Sequence, residues 1–527
     1  MSFVDTLLAH HHCDSIGAVS VVMVDPHSEP GGQWHDSYDF VRLHQPSSMY
    51  GVETERLEPV PSPEDGTTTS TTTTKEQEEH RATRKEILQY YQKVQQKLET
   101  NYSFYFVGGA MFDLKQISSA LGTTSNGTGS YMLDLLQSED PQKPAQKHSI
   151  KVLKRVVDAR FLEPDLPVAV PPKFSFDPNV IQCVPVNALV SMQQQQQQSS
   201  YQHYVIVGGG KTGMDAVTYL LTVQNVKPED ILWVVPNDVW ITARENIGSC
   251  IEFLHTSAKI AAAERGTEND NLEKLVQSPQ FLQNGFLEWE RSGKIYRLHA
   301  DDSNDIPQKF KDATLSKDEV QLLQQVPVLR RQGRIQAIAS NGDLILTNKN
   351  TVVPLPWRKK HDNDNSQEDL VVNKTVFIHC SAGAFNYTKH PQIPPPPIFA
   401  PGRIILQDVY GTPGFCFVGS ILAMIECQSQ LSDEEKNRLC LSPQPTTDEA
   451  KNQDPLGPSG GDITGLSMEN GLVQRLLNLK HWLALPKVRP WLFTNRLFNL
   501  KHLTPEQAES MVQDIEQVLI KGGVLSS

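Results

Sequence analysis

The cysteines of this sequence lack any spacing that would bind a metal or form a redox dithiol. Seven cysteines are scattered over 527 residues, and no two of them stand in a CxxC or CxxxxC arrangement. This excludes a zinc knuckle and argues against a disulfide reductase. The run HHHC at 10–13 has metal-ligating residue types, but four adjacent side chains at a helix end cannot converge on one ion. We therefore expect no metal.

Long apolar runs and excess positive charge are also missing. No apolar run approaches the ~20 residues that span a bilayer. The net charge of −13 argues against non-specific binding to nucleic acids and to anionic membranes. The first residues, MSFVDTLLAHHHCDS, have neither the basic start nor the cleavage site of a signal peptide. The expected protein is cytoplasmic, with no nucleic-acid partner and no membrane span.

The residues that are present indicate an α/β protein of two or three domains. The predicted strands are 18–25, 103–112, 149–162, 204–207, 231–235, 343–347 and 374–380. The predicted helices are 2–9, 75–99 and 505–521, the last of which begins at a capping box of Thr504 and Gln507. The polar tracts 67–74, 193–198 and 358–369 are predicted to be solvated, and 428–468 is predicted to be a disordered linker.

The strongest local motif is YVIVGGGKTGMDAVTYLL at 204–221. Gly208, Gly210 and Gly213 form a GxGxxG turn between an apolar strand and an amphipathic helix, which predicts a dinucleotide-binding fold. Lys211 and Thr212 within the turn suggest a nucleoside-triphosphate loop instead. That alternative fails because Val205 stands where the P-loop needs glycine.

The cofactor choice is expected at the end of the second strand, ILWVV. An acidic residue there would bind the ribose of NAD, but Pro236 and Asn237 follow the strand. The missing acid favours NADPH, with Arg244 as a candidate partner of the 2′-phosphate. Asp238 is close enough to leave NADH open.

A second dinucleotide fold is indicated near the N-terminus. Asp25 ends an apolar strand and is placed to bond an adenosine ribose, and Gly31, Gly32 and Trp34 follow in the motif PGGQW. The motif PGGQW, the following YDFVRLHQPSSMYGV and the later GGGKTGMDA resemble the flavin-containing monooxygenase-like group of FAD- and NAD(P)H-dependent oxidoreductases. The resemblance covers most of residues 1–427 and weakens in the C-terminal helices.

This resemblance implies two Rossmann-like domains, FAD and NADPH as cofactors, and a helical C-terminal section. The implied organisation is an FAD domain in two segments (1–200 and 370–427), an inserted NAD(P) domain (201–369), the linker 428–468 and C-terminal helices (469–527). In the returning segment, Gly383 of FIHCSAG and Asp408 of the last strand are expected near the flavin. The FxGxxxH fingerprint of the group is missing, so oxygenation is less firmly implied than NADPH oxidation.

The resemblance also implies a strand and a glycine turn before the helix 2–9. The sequence as given does not contain them, so we expect an incorrectly assigned start codon, and we expect this 527-residue form to bind FAD poorly and to fold marginally.

For catalysis, the group places an amide side chain after GGxW, and either His44 or Gln45 occupies this position. The sequence does not choose between them. The expected partners are a small-molecule substrate and, for a monooxygenase, molecular oxygen. Two alternatives stay open: an NAD(P)H-dependent reductase without oxygen insertion, and a non-catalytic NADP(H)-binding protein with a vestigial FAD fold.

Overall fold

The structure is a computed structural model, and it describes residues 1–11, 19–59, 80–112, 130–137, 146–162, 164–195, 201–264, 269–299, 306–307, 309–348, 350–358, 371–382, 396–411, 415–442 and 466–526. In chain order, the strands are β1 (Ser20–Asp25), β2 (Ser103–Gly108), β3 (Ala110–Phe112), β4 (Tyr131–Gln137), β5 (Gln146–Val152), β6 (Val156–Asp158), β7 (Cys183–Pro185), β8 (His203–Val207), β9 (Ile231–Val235), β10 (Val239–Ala243), β11 (Ile295–Arg297), β12 (Lys309–Leu315), β13 (Val328–Arg330), β14 (Ile335–Ile338), β15 (Leu344–Leu346), β16 (Val352–Val353), β17 (Thr375–His379), β18 (Phe399–Ala400) and β19 (Arg403–Ile405).

The α-helices fill the intervals between these strands and form the C-terminal section. They are α1 (Ser2–His10), α2 (Arg84–Asn101), α3 (Ala188–Gln195), α4 (Lys211–Thr222), α5 (Cys250–Glu264), α6 (Asn269–Val276), α7 (Gln280–Arg291), α8 (Lys317–Leu323), α9 (Phe415–Glu426), α10 (Asp433–Arg438), α11 (Leu466–Leu483), α12 (Val488–Thr494) and α13 (Pro505–Lys521). In the described part of the chain, no helix has the length and apolar character needed to cross a membrane.

A five-stranded sheet forms the middle of the molecule, in the order β13-β9-β8-β17-β7. All neighbouring strands in it are parallel. Strands β8, β9 and β17 are buried along almost their whole length, as expected of a parallel sheet covered on both faces. The predicted α/β class with a Rossmann-like sheet at the GxGxxG motif is confirmed.

Segments that precede and segments that follow this sheet in the chain contact each other. Strand β6 pairs in parallel with β19, and α1 packs against α9. A Cβ atom on Gly419 would lie 2.3 Å from Oγ of Ser2, so the approach of these two helices requires a glycine. Strand β1 pairs in parallel with β2. The N-terminal and the returning segments therefore contact each other, although the strands of the middle sheet stand between them in the chain.

The boundaries differ from those expected. Strand β17, assigned to the returning FAD segment, lies between β8 and β7 in the middle sheet, and β7 comes from the predicted first FAD segment. The reason is that sheet membership depends on long-range pairing, which strand propensity does not contain.

The predicted disordered linker is wrong for its first part. Ser432 and Glu435 form a capping box that begins α10. Lys436 is buried and its Nζ lies 2.7 Å from Oε2 of Glu426, and Cys440 belongs to the hydrophobic core. Residues 428–442 are thus ordered by one buried ion pair and by core packing. The Thr tract 67–74 and most of 358–369 lie outside the described residues, and α3 extends into the Gln tract as far as Gln195.

Capping boxes set the starts of two of the predicted helices. The helix at 505–521 has the predicted bounds and the predicted capping box at Thr504. The helix predicted from residue 75 begins at Arg84, because Thr83 and Glu86 form a capping box there. The C-terminal helices share a large core with α5, α7 and α9.

Candidate functional site

The glycine turn connects β8 with α4, and its three motif glycines have different surroundings. Gly208 has φ 128°, and a Cβ atom on it would lie 2.9 Å from the carbonyl oxygen of Cys380. A Cβ atom on Gly213 would lie 2.1 Å from the carbonyl oxygen of Gly208. A Cβ atom on Gly210 would meet no atom within 4 Å. Two glycines therefore allow close packing, whereas the third faces open space at the start of α4.

The start of α4 offers backbone N–H groups to a ligand. Gly210 is its N-cap, and within the described residues no side chain caps this end. Trp233 Nε1 donates a 2.9 Å hydrogen bond to the carbonyl oxygen of Gly208, which fixes the turn from the β9 side. An uncapped helix N-terminus behind an open glycine turn is suited to bind phosphate.

Lys211 of the turn forms an ion pair with Asp215 one helical turn later. The hydroxyl of Tyr38 donates a 2.6 Å hydrogen bond to Oδ2 of Asp215, and the Thr212 side chain also hydrogen-bonds to Tyr38. Burial, and then the charge of Asp215, raise the pKa of Tyr38 well above its ordinary value. The segment after Trp34 is therefore attached to the glycine turn through one carboxylate.

His44 lies in this attached segment and is held by β12. Its Nδ1 accepts a 3.2 Å hydrogen bond from the backbone N–H of Thr314, and its carbonyl oxygen accepts from the Thr314 hydroxyl. Burial, and then the charges of Lys211, Arg244 and Arg81, lower the pKa of His44 to about 3. The imidazole is thus neutral near pH 7.

Gln45, the next residue, is in a different state. Its Oε1 is buried and makes no hydrogen bond within the described part of the chain. A buried amide oxygen without a partner costs free energy unless a ligand or water satisfies it. The backbone of the preceding His44 is fixed, so Gln45 is presented by a rigid segment.

Arg244 is engaged inside the protein. Its Nη2 lies 2.5 Å from Oε2 of Glu319, and its Nε donates a 2.7 Å hydrogen bond to the carbonyl oxygen of His44. Arg81 binds the other oxygen of Glu319 at 3.0 Å. Only 10% of the Arg244 side chain is exposed. Arg244 therefore anchors the His44 segment to α8.

Sequence reasoning missed two other arginines at the end of β9. Strand β13 pairs with β9 so that Arg330 stands opposite Val235, the last residue of β9. Arg330 Nη1 lies 2.8 Å from Oδ1 of the buried Asp238, and Arg331 also pairs with Asp238. The Arg331 side chain is 43% exposed. The sequence shows these two arginines directly after the apolar run VPVL at 326–329. This run was not predicted as a strand, so nothing placed the arginines beside β9.

Near the N-terminus, Asp25 ends β1 as predicted. Its Oδ1 accepts a 2.9 Å hydrogen bond from the backbone N–H of His27 and lies 2.9 Å from His27 Nδ1. His27 Nε2 lies 2.9 Å from Oδ2 of Asp36. Burial lowers the pKa of His27, but the hydrogen bonds to Asp25 and Asp36 outweigh it and raise the pKa above its ordinary value.

The PGGQW motif forms a tight turn. Gly31 has φ 146° and a Cβ atom on it would lie 2.5 Å from Leu88, whereas a Cβ atom on Gly32 (φ 53°) would meet nothing within 4 Å. Trp34 is buried, and its Nε1 donates a 2.7 Å hydrogen bond to the hydroxyl of Tyr50. Here one glycine allows close packing and one faces open space, whereas at the turn after β8 two glycines allow packing and one is open.

The returning segment contributes Asp408. Its Oδ1 accepts hydrogen bonds from the backbone N–H groups of Tyr410 (3.1 Å) and Gly411 (2.7 Å), and Oδ2 lies 3.1 Å from Arg475 Nη2. Asp408 thus holds the turn after β19 and attaches it to α11. Gly383 lies outside the described residues.

In the histidine run at 10–13, the two described residues have different partners. His10 Nε2 lies 3.0 Å from Oε1 of Glu53, and His11 Nδ1 lies 2.7 Å from the carbonyl oxygen of Leu8. His12 and Cys13 lie outside the described residues. In the described part of the chain, no group of three His, Cys, Asp or Glu residues is arranged to hold a metal ion.

Comparisons with known proteins give relatives and structural neighbours, while no family model matches the chain. Uncharacterized proteins of Mycobacterium tuberculosis and Mycobacterium bovis are 26% identical to it over 512 residues, which are 96% of this chain and 76% of theirs. Among solved structures, the polycyclic ketone monooxygenase of Thermothelomyces thermophila has a TM-score of 0.44 at 12% identity, over 99% of this chain and 86% of that one.

Two further solved structures contain cofactors. The complex of OTEMO with FAD and NADP has a TM-score of 0.39 at 11% identity, over 81% of this chain and 82% of that one. The FAD-bound cadaverine monooxygenase DfoA of Erwinia amylovora has a TM-score of 0.39 at 10% identity, over 82% of this chain and 93% of that one.

Proposed function

We propose that this chain is a flavoprotein oxidoreductase that uses NADPH to reduce FAD and that oxygenates a small organic molecule. The observation that carries the proposal is the glycine turn after β8. Packing leaves no room for a Cβ atom at Gly208 and Gly213. Gly210 faces open space and leads directly into the uncapped start of α4. This is the arrangement in which a pyrophosphate can approach the backbone.

The 2′-phosphate of NADPH fits the end of β9 better at Arg331 than at Arg244. Arg331 is 43% exposed at that edge of the sheet, whereas Arg244 is 10% exposed and paired with Glu319. Asp238 holds Arg330 and Arg331 together and balances part of their charge. A dianionic phosphate beside two guanidinium groups gains charge-assisted hydrogen bonds that the hydroxyl of NADH does not offer.

FAD fits the N-terminal and returning segments. The open side of Gly32, the carboxylate of Asp25 at the end of β1, and the Asp408 turn are the groups we assign to it, with Trp34 and Gly31 shaping the loop. When bound, FAD supplies the redox chemistry, accepting hydride from NADPH and reacting with oxygen.

Of the two candidates for catalysis, Gln45 fits better. Its amide has a buried, unpartnered oxygen, and the rigid backbone of His44 fixes its position. We assign Gln45 the role of a hydrogen-bond donor and acceptor beside the reacting atoms. His44 is neutral and bound to the Thr314 N–H, so it holds the segment and does not transfer a proton near pH 7.

The test has two stages and uses the full chain. In the first stage, calorimetry measures the binding of NADP⁺ and of FAD. In the second stage, the consumption of NADPH and oxygen and the formation of hydrogen peroxide are measured with a panel of ketones, amines and sulfides as substrates under ¹⁸O₂. Because this 527-residue form is expected to bind FAD poorly, FAD is added in excess, and we expect FAD-dependent NADPH oxidation and ¹⁸O in one product class. Gln45→Leu should abolish ¹⁸O incorporation while NADP⁺ affinity stays unchanged, and Gln96→Leu, a change on an exposed side chain of α2, is the control.

The other outcomes separate the alternatives. NADPH oxidation that never places ¹⁸O in a product would indicate a reductase. Binding of NADP⁺ without any binding of FAD would indicate a non-catalytic NADP(H)-binding protein.

A further inference from the structure

Arg496 lies in the C-terminal section, between α12 and α13, and its backbone is fixed. The side-chain oxygen of Asn495 accepts a 2.8 Å hydrogen bond from the N–H of Leu497. Leu497 and Phe498 are almost completely buried in the largest hydrophobic core of the described residues. The guanidinium group therefore projects from a rigid base.

This guanidinium group binds a turn near the N-terminus of the chain. Arg496 Nη1 donates hydrogen bonds of 2.9 Å to the carbonyl oxygens of both Tyr50 and Val52, and Nη2 donates to the carbonyl oxygen of Ser47 at 3.4 Å. Nη2 also lies 3.0 Å from Oε2 of Glu58. Backbone carbonyl groups outside regular secondary structure need donors when they are buried, and one planar guanidinium serves three of them here.

The bound turn, Ser47–Val52, carries the side chain that holds Trp34, a residue we assign to the FAD loop. The hydroxyl of Tyr50 accepts hydrogen bonds from Trp34 Nε1 (2.7 Å) and from the hydroxyl of Tyr91 (3.1 Å). Gln45 precedes the turn by two residues. The position of this turn therefore sets the position of the Trp34 indole and limits that of Gln45.

A second contact from the same section supports the turn at its far end. Trp491 Nε1 donates a 2.9 Å hydrogen bond to Oε1 of Glu53, directly after the turn. The C-terminal helices thus contact the segment that follows PGGQW at two points, although the sequence resemblance to flavin enzymes weakens in these helices.

We propose that Arg496 is a positioning residue for the flavin site, which acts through the Ser47–Val52 turn on Trp34 and Gln45. The C-terminal helical section is then a part of the FAD site and not an appendage. This inference rests on the proposed function, because it assigns the Trp34 loop to FAD.

The experiment compares Arg496→Ala and Arg496→Lys with Arg489→Ala in the full chain. Arg489 is a matched control, because it lies in the same section and pairs with Glu506 and Glu509 instead of the turn. Titration calorimetry measures the Kd for FAD and for NADP⁺. Hydrogen exchange of peptides covering 46–58 is followed without any cofactor.

For Arg496→Ala we expect the Kd for FAD to rise about tenfold or more, since several charge-assisted hydrogen bonds are lost. The Kd for NADP⁺ should stay unchanged, exchange over 46–58 should accelerate, and added guanidinium ion at millimolar concentration should partly restore FAD affinity. Arg496→Lys should retain part of the affinity, and Arg489→Ala should match the wild type.

Two outcomes would overturn the inference while the wild type binds FAD. One is an unchanged FAD affinity in Arg496→Ala. The other is an equal loss of FAD and NADP⁺ affinity without rescue by guanidinium, which would show a general loss of folding. A wild-type chain that binds NADP⁺ and no FAD at all would instead contradict the proposed function.

Discussion

The hydroxyl of Tyr38 donates a 2.6 Å hydrogen bond to Oδ2 of Asp215, which lies 177 positions further along the chain. The same carboxylate pairs with Lys211 of the glycine turn. One side chain therefore connects the segment that presents Gln45 with the helix that we assign to the NADPH phosphates. Any ligand that attracts Lys211 competes directly with Asp215.

This competition leads to a prediction about charge. Asp215→Asn should lower the Kd for NADP⁺ about threefold to tenfold, because Lys211 is released toward the phosphates and a nearby negative charge is removed. Lys211→Met should raise the Kd. Calorimetry at two salt concentrations measures the Kd of both variants. Asp230→Asn is the control, because Asp230 lies directly before β9, at the end of the strand opposite to the glycine turn. If Asp215→Asn raised the Kd for NADP⁺ as much as Lys211→Met does, Asp215 would not compete with the phosphates for Lys211.

The glycine turn should separate binding from stability. Gly210→Ala should leave the Tm nearly unchanged, because its Cβ atom enters open space, and should raise the Kd for NADP⁺ about tenfold or more by blocking the pyrophosphate. Gly213→Ala should instead lower stability by about 2 kcal/mol or more, since its Cβ atom would lie 2.1 Å from a carbonyl oxygen. Thermal unfolding and calorimetry on both variants check this. The reverse pattern would refute the phosphate assignment.

Arg331 should determine the preference for NADPH over NADH. Arg331→Gln should raise the Kd for NADP⁺ about tenfold and leave that for NAD⁺ within about twofold, because only the 2′-phosphate loses a charge-assisted hydrogen bond. Arg291→Gln, a change on an exposed side chain of α7, is the control. If Arg244→Gln changes the preference and Arg331→Gln does not, the original expectation for Arg244 is the correct one.

His44 should make stability depend on pH. Its pKa is about 3 in the folded chain against an ordinary value of 6.5, so the unfolded chain alone binds this proton between those values. The contribution to stability is complete above pH 6.5 and decreases as the pH falls toward 3. Between pH 6.5 and pH 4 it amounts to on the order of 3 kcal/mol. His44→Asn keeps an acceptor for Thr314 and should flatten the decrease in the free energy of unfolding over this range.

The control for this pH series is His502→Asn, since 54% of the His502 side chain is exposed. It should show the same slope as the wild type. A His44→Asn variant with the wild-type slope would mean that other groups cause the acid sensitivity.

The elements that the sequence predicted well are those with a local cause. The strand at 231–235, the glycine turn and the helix 505–521 each depend on neighbouring residues, and their observed bounds agree with the prediction. The helix 2–9 was also predicted, and it extends by one residue to His10. Apolar runs, cap residues and glycines at fixed offsets contain this information.

What could not be predicted depends on partners far along the chain. Arg330 and Arg331 reach the end of β9 only because β13 pairs with that strand. Arg496 binds the carbonyl oxygen of Tyr50 across 446 positions. Our proposal of Gln45 over His44 rests on the N–H of Thr314, which lies 270 positions from His44. No local pattern in the sequence specifies such pairs.

The pairing of β17 with β8 has a consequence for engineering. Thr375 stands opposite His203 and His379 opposite Val207, so the stretch from β8 to β17 begins and ends on adjacent strands. Its two ends are separated by about one strand length, roughly 13 Å. A short linker of Gly and Ser residues can span that distance. The stretch from 203 to 379 therefore has ends close enough to be joined in a circular permutation. Its exchange between relatives, in contrast, must include β7, which pairs with β17, and must keep the contacts of Tyr38 and His44.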